Sequence, residues 1–241
     1  NYFRYILYMP TLKKISKKKK SKKKQQINFL KKFVNKKMKN ENLVIIDKNN
    51  RHNLDYQNKD VSSFLHKLVD ILNFSFEKER EYHISQGSYY PGYKHDINTI
   101  KSNMDNDKYI TYVLTTKSMI PISMLYVERN EDDYDKIWTV CTENKFRGRG
   151  MSSKLLDIMI KKQLAEKRKK MLLEVFEDTI LNRQENDVKQ SQIMGLFSSK
   201  GFQHINHNNL NQHTFKNLLY NDGKTKIMVF RPVRWMLKND I

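Results

Sequence analysis

The chain has 241 residues, 46 of them Lys or Arg against 26 Asp or Glu, for a formal net charge of +20, and 38% of it is hydrophobic. With 7 Gly and 4 Pro it is neither collagen-like nor wholly disordered. Its single cysteine, Cys141, excludes an intramolecular disulfide framework and a multi-cysteine zinc site. The charge is uneven: residues 1–40 hold 15 of the basic side chains and no acid. The nucleic-acid partner that so basic a chain suggests therefore rests on one tail.

The apolar run Tyr5 to Leu12 is interrupted by Pro10 and falls short of the roughly 18 residues of a spanning helix. Its basic block follows it, the reverse of a signal peptide, so the expected location is intracellular, cytoplasmic or nuclear. The segment Lys13 to Lys39 is read as a disordered tail, because like charges repel and few apolar residues interrupt them. The expected organisation is a Lys-rich tail over 1–40 and one domain over 41–241. Two readings of the tail stay open. Either translation starts at Met38 and the tail is upstream reading, or the tail tethers the protein to nucleic acid or an acidic surface.

Leu43-Val44-Ile45-Ile46 predicts a strand, and Phe64, Leu65, Leu68, Ile71 and Leu72 predict a helix capped by Asp60 or Ser62. A glycine- and proline-broken loop with Tyr89, Tyr90 and Tyr93 leads to a second helix after Asp96, through Ile97, Ile100 and Met104. Lys108 to Thr115 and Ile120 to Glu128 predict an antiparallel hairpin. The acidic stretch Glu131, Asp132, Asp133 and Asp135 reads as a solvated turn before a strand over Ile137 to Thr142. A helix from Met151 to Lys169 follows, with Lys167 to Lys170 complementing its dipole. Next come a strand over Met171 to Phe176, a polar insertion over Asp178 to Lys189, a helix over Ser191 to Lys200, and strands near Phe202 to Asn206 and Lys224 to Pro232. This order describes an α/β domain with a mixed sheet.

The chemistry concentrates in Val140-Cys141-Thr142-Glu143-Asn144-Lys145-Phe146-Arg147-Gly148-Arg149-Gly150-Met151-Ser152-Ser153. A strand stops, a basic turn carries two glycines, and a hydroxyl-bearing helix start follows. Unpaired amides at a helix N-terminus, backbone opened by glycine and flanking arginines make an anion cradle suited to a phosphate or pyrophosphate. Neither a Walker loop nor a dinucleotide fingerprint is present.

These residues resemble a known family. Arg147-x-x-Gly150-x-Ser152 looks like the R/Q-x-x-G-x-G/A pyrophosphate signature of the GNAT superfamily of acyl-CoA-dependent N-acyltransferases. Leu172-Leu173-Glu174-Val175 is similar to the next strand of that family, and Leu196-Phe197-Ser198-Ser199-Lys200-Gly201-Phe202 resembles its closing L-Y-x-x-x-G-F pattern. The resemblance implies an α/β fold with a mixed, mostly antiparallel, six- or seven-stranded twisted sheet, helices on both faces, and central strands splayed to hold coenzyme A. It implies acetyl-CoA as cosubstrate, no metal, and direct transfer to a primary amine on a protein or small molecule. The pyrophosphate would rest on Arg147, Gly148, Arg149, Gly150, Met151, Ser152 and Ser153, and the pantetheine arm on the backbone of Val140, Cys141 and Thr142. Tyr89, Tyr90, Tyr93 and Tyr220 become acceptor-side residues, or pack on the domain's own surface.

A neutral amine is needed for attack, and the resemblance makes Glu174 the candidate general base, with a structural carboxylate as its plain reading. Cys141 reads as a small buried strand residue rather than an acyl carrier. His204 and His207, three apart on a strand, project to opposite faces and do not form a metal site. Three departures from the pattern stand out: Ser152 replaces Gly or Ala, the insertion over Asp178 to Lys189 separates the third motif from the second, and Phe197 replaces a tyrosine that protonates the leaving thiolate. The last motivates an alternative reading, a coenzyme-binding module that has lost catalysis; a nucleic-acid-associated protein acting through its tail is a third.

Overall fold

The computed structural model describes residues 30–77, 80–81, 85, 95–129, 134–168, 170–176, 190–205 and 233–238. Its strands are β1 (Val34–Lys37), β2 (Glu41–Ile46), β3 (Tyr109–Thr116), β4 (Pro121–Arg129), β5 (Tyr134–Thr142), β6 (Lys170–Phe176), β7 (Gln203–Ile205) and β8 (Val233–Lys238). They form one eight-stranded sheet in the order β1-β2-β3-β4-β5-β6-β8-β7, one or two strands more than the sequence predicts. Every neighbouring pair is antiparallel except β5 and β6.

Helices α1 (Lys59–Ser75) and α2 (Ile97–Asp105) cover one face; α3 (Met151–Ala165) and α4 (Gln190–Ser198) cover the other. Strand β2 shows why both faces are dry. Leu43 and Ile45 enter the core under α3, while Val44 and Ile46 enter the core under α1 and α2. A strand buried on both sides must be apolar at consecutive positions, as this one is. On α1, Phe64, Leu65, Leu68, Ile71 and Leu72 are buried on one stripe, each contributing about 1.5–3 kcal/mol by leaving water.

Several expectations need correction. The Lys-rich tail does not extend to residue 40. Leu30 and Phe33 are buried in the α1 core, and β1 pairs with β2 through Val34↔Val44, Lys36↔Leu43 and Lys37↔Asn42. The lysines of β1 stay exposed while its backbone completes the sheet edge, a placement in which charge discourages further pairing. The cap of α1 is Asn58, whose side chain accepts from the amide of Asp60; Asp96 caps α2 as its position predicts, accepting from Thr99. Asp135 is no solvated turn residue. It is fully buried and receives Arg168 at 2.8 Å, so the basic cluster after α3 supplies a buried partner besides complementing a dipole. Helix α3 also ends four residues early, at Ala165. The final strand is β8, beyond the expected range Lys224 to Pro232, which lies outside the described residues.

Candidate functional site

The pairing of β5 with β6 runs from Tyr134↔Lys170 to Ile137↔Leu173 and stops. Beyond that point β5 continues to Thr142, paired with β4 on its other side, and β6 continues to Phe176, paired with β8. The two central strands thus form a fork. Its cause is local: Tyr126 opposes Thr139 but Val127 opposes Ile137, so Trp138 is an extra residue on β5. Such a bulge bends and twists its strand, and here it falls where β5 leaves β6.

The chain leaves the open end of β5 through a 3-10 turn, Asn144–Phe146, and enters α3 at Met151. Gly148 and Gly150 have φ of +71° and +73°, and a Cβ at either would meet open space. The turn needs left-handed backbone at both positions, which glycine adopts without the penalty of an L side chain. Gly150 is the N-cap of α3 and offers no side-chain cap. Among the described residues the amides of Gly148, Arg149, Gly150, Met151, Ser152 and Ser153 find no acceptor, whereas Lys154 already donates to Gly150 at 2.9 Å. Six consecutive donors at the positive end of a helix dipole suit a multiply charged anion.

The side chains around this turn mostly hold it in place. Ser152 Oγ lies 2.9 Å from Thr142 Oγ1, which lies 2.8 Å from Ser123 Oγ, and Ser123 donates to the carbonyl of Cys141 at 2.8 Å. This hydroxyl chain fastens the start of α3 to β5, so Ser152 acts here as a tie between elements. Arg147 Nε donates to the Thr142 carbonyl at 3.3 Å, and its guanidinium lies 5.2 Å from the ring centre of Phe74 at the end of α1. Arg149 is exposed, 5.5 Å from the Phe146 ring. Glu143 is bridged by Lys67 of α1 at 2.8 Å and by Lys145 at 3.2 Å. Burial alone would raise its carboxyl, but these two ammonium groups together bring it below the usual range.

Cys141 lies in the core under α1 and α2, where burial pushes its thiol up to about 12. A thiol held protonated is a poor nucleophile, which supports the plain reading of this residue. Phe197 is buried against Phe202, ring centres 5.5 Å apart in an edge-to-face arrangement; it is a core residue with no hydroxyl to offer. The backbone of Glu174 occupies the first β6 position past the last pair with β5, at the vertex of the fork. Tyr89, Tyr90, Tyr93 and Tyr220 lie outside the described residues, as do His207 and the insertion over Asp178 to Lys189. Among the described residues no group of three His, Cys, Asp or Glu side chains could hold a metal ion, and no helix is long and apolar enough to cross a membrane.

By sequence, no family model and no curated protein matches the chain. Its structure, however, is similar to that of an acetyltransferase from Streptococcus agalactiae 2603, with a TM-score of 0.50 and 18% identity over 82% of this chain and 98% of the other. The chain has the GNAT fold. A GNAT-family acetyltransferase from Staphylococcus aureus Mu50 is also similar (TM-score 0.48, 13% identity, 82% and 98% of the two chains). So is the PaiA N-acetyltransferase from Thermoplasma acidophilum, a structure in complex with coenzyme A (TM-score 0.46, 11% identity, 73% and 93%). The glycine turn before α3 is legible in the sequence, whereas the bulge at Trp138 is not. An extra residue in a strand leaves the composition of that strand unchanged, so only the register with β4 exposes it.

Proposed function

We propose that this protein is an N-acetyltransferase that moves the acetyl group of acetyl-CoA to a primary amine in a ternary complex. The observation that carries the reading is the fork between β5 and β6 with six free amides at its open end. A pyrophosphate fits the amides of Gly148 to Ser153, with Arg149 adding exposed charge. The freed edge of β5, over Val140 to Thr142, offers backbone donors and acceptors to an extended amide-bearing arm such as pantetheine. When bound, acetyl-CoA supplies an acyl group on a good leaving thiol.

The remaining work falls to the chain. An amide of the freed β5 edge can donate to the thioester oxygen as negative charge develops there, a role worth on the order of 3 kcal/mol. Glu174 accepts the proton of the attacking amine, directly or through water, for a gain of about 10² to 10⁴ in rate. The amine nitrogen bonds to the acetyl carbon, the carbon–sulfur bond breaks, and coenzyme A leaves as its thiolate, protonated from water because Phe197 cannot do so. A single free, buried cysteine suits a reducing compartment, so the expected location is intracellular. The acceptor is an amine of a protein N-terminus, a lysine or a small molecule.

Acetyl-CoA at one hundred times its dissociation constant stabilises a protein by about 2.7 kcal/mol, which a thermal melt reads directly. No stabilisation at saturation would remove the coenzyme reading altogether. Free thiol released in the presence of a panel of amines, and lost in Glu174→Gln, separates an active transferase from a second reading that Phe197 favours, a coenzyme-binding module without turnover. Binding without thiol release would decide for the module.

A further inference from the structure

Three hydroxyls run in line from β4 to the start of α3, and their hydrogen bonds share one direction. Ser123 donates its single proton to the carbonyl of Cys141, since a carbonyl oxygen only accepts. In its contact with Thr142 at 2.8 Å, Ser123 is therefore the acceptor and Thr142 the donor. Thr142 has then spent its own proton, so at 2.9 Å Ser152 donates to Thr142. In the free protein the protons point inward, from Ser152 to Thr142 to Ser123 to the Cys141 carbonyl. Ser123 and Thr142 are buried and Ser152 is half-buried. Ser152 thus turns only lone pairs toward the turn, although its own amide is one of the six that lie free there.

The inner end of this chain is weakly held. Glu143 donates to the carbonyl of Ile122 at 2.9 Å, directly across β5 and β4. Bonded pairs alternate along an antiparallel ladder, so Met124 and Cys141, two positions on, are also a bonded pair. The Cys141 carbonyl therefore keeps the amide of Met124 when Ser123 turns away. An anion at the turn pulls the other way: a hydrogen bond to a charged acceptor is about twice as strong as one between neutral groups, and aligned hydroxyls polarise one another.

We propose that Ser123, Thr142 and Ser152 form a reversible hydroxyl relay. When the coenzyme pyrophosphate settles on the amides of the turn, all three hydroxyls rotate: Ser123 donates to Thr142, Thr142 to Ser152, and Ser152 to a phosphate oxygen. This rests on the coenzyme reading of the turn and deepens it. Ser152 is the residue that touches the ligand; Ser123 and Thr142 are positioning residues that act through it. Each oxygen keeps its own proton, and only hydrogen bonds change partners. The bond from Ser123 to the Cys141 carbonyl opposes the reversal, so the relay holds affinity below what a fixed outward hydroxyl gives.

Calorimetric affinities for coenzyme A and melting temperatures of the free variants test the relay together. Ser152→Ala loses the extra donor, and its affinity is expected to fall about tenfold. Ser123→Ala removes the inward terminus, so the Thr142 and Ser152 hydroxyls turn outward before any ligand arrives. Its affinity is expected to rise about two- to tenfold, the worth of the bond that no longer has to break, while its melting temperature falls. A fixed tie between α3 and β5 predicts instead that stability and affinity fall together. With Ser152→Ala added to Ser123→Ala the gain disappears, and the affinity equals that of Ser152→Ala alone. Should Ser123→Ala fail to fold, Thr142→Val frees the Ser152 hydroxyl at nearly constant volume and is expected to bind at least as tightly as the wild type; a loss there overturns the relay equally. Coenzyme A binding that is unchanged in Ser152→Ala, or unchanged or weaker in Ser123→Ala, overturns the relay and leaves the coenzyme reading intact. No binding of coenzyme A by the wild type removes that reading, and the relay with it.

Discussion

At the scale of single residues, Gly150 and Cys141 have opposite needs. Gly150 is left-handed at φ +73° with nothing near its missing Cβ, so Gly150→Ala meets no steric neighbour and is opposed only by the backbone. That conformation costs an L residue about 1–2 kcal/mol. The expected outcome is coenzyme A affinity about tenfold weaker by calorimetry, with the folded structure retained in circular dichroism. Cys141 faces the other way: with burial holding its thiol near 12, mass spectrometry after iodoacetamide treatment of the native protein at neutral pH should find it unmodified. Cys141→Ala should keep turnover with acetyl-CoA, whereas an obligatory acyl-cysteine would make that variant inactive. The glycine was legible in the sequence because a left-handed turn demands it. The burial of the thiol was legible only as strand alternation, since the helix that covers it comes from elsewhere in the chain.

At the scale of elements, β1 and the bridge from α1 to Glu143 after β5 carry consequences. Deleting residues 1–29 removes ten basic side chains and no acid, and leaves β1 in place; deleting residues 1–37 also removes the buried Leu30 and Phe33 together with β1. Those two side chains alone contribute about 1.5–3 kcal/mol each, so the longer deletion should melt markedly lower and the shorter one should not. The same pair of variants addresses the tail: any nucleic-acid affinity carried by those ten charges should fall steeply with salt in the full chain and be absent from both deletions. The Lys67–Glu143 bridge has a defined pH signature. The Glu143 carboxyl lies below the usual range in the folded protein, so its contribution is present above the unfolded value and is lost as pH falls through the folded one. Glu143→Gln should therefore lower stability at neutral pH and flatten the acid limb of the melting curve. Sequence periodicity marked α1, α2, α3 and the β3–β4 hairpin, because each buries a regular stripe or face. It passed over β1, whose lysines hide the buried Leu30 and Phe33 that anchor it.

For the whole molecule, the sheet order decides what the residues can do together. Hydrophobic spacing and the residues Arg147 to Ser153 were enough to set the fold class and to mark a glycine turn at a strand-to-helix junction, since both depend on neighbours in sequence and on backbone stereochemistry. The position of Glu174 opposite the freed end of β5, the burial of Asp135 against Arg168, and the core role of Phe197 all depend on which strands lie side by side. So does the join of Trp138 to Glu128, ten residues apart on adjacent strands. A one-residue bulge opens the fork, and a bulge is a relation between two strands rather than a property of either. The sequence by itself determined most of the helices and central strands, their faces and the glycine turn before α3, because local propensity and periodicity act along the chain. Only the tertiary structure decided where the central strands part and which side chains meet at that point, because register is set by packing across the sheet.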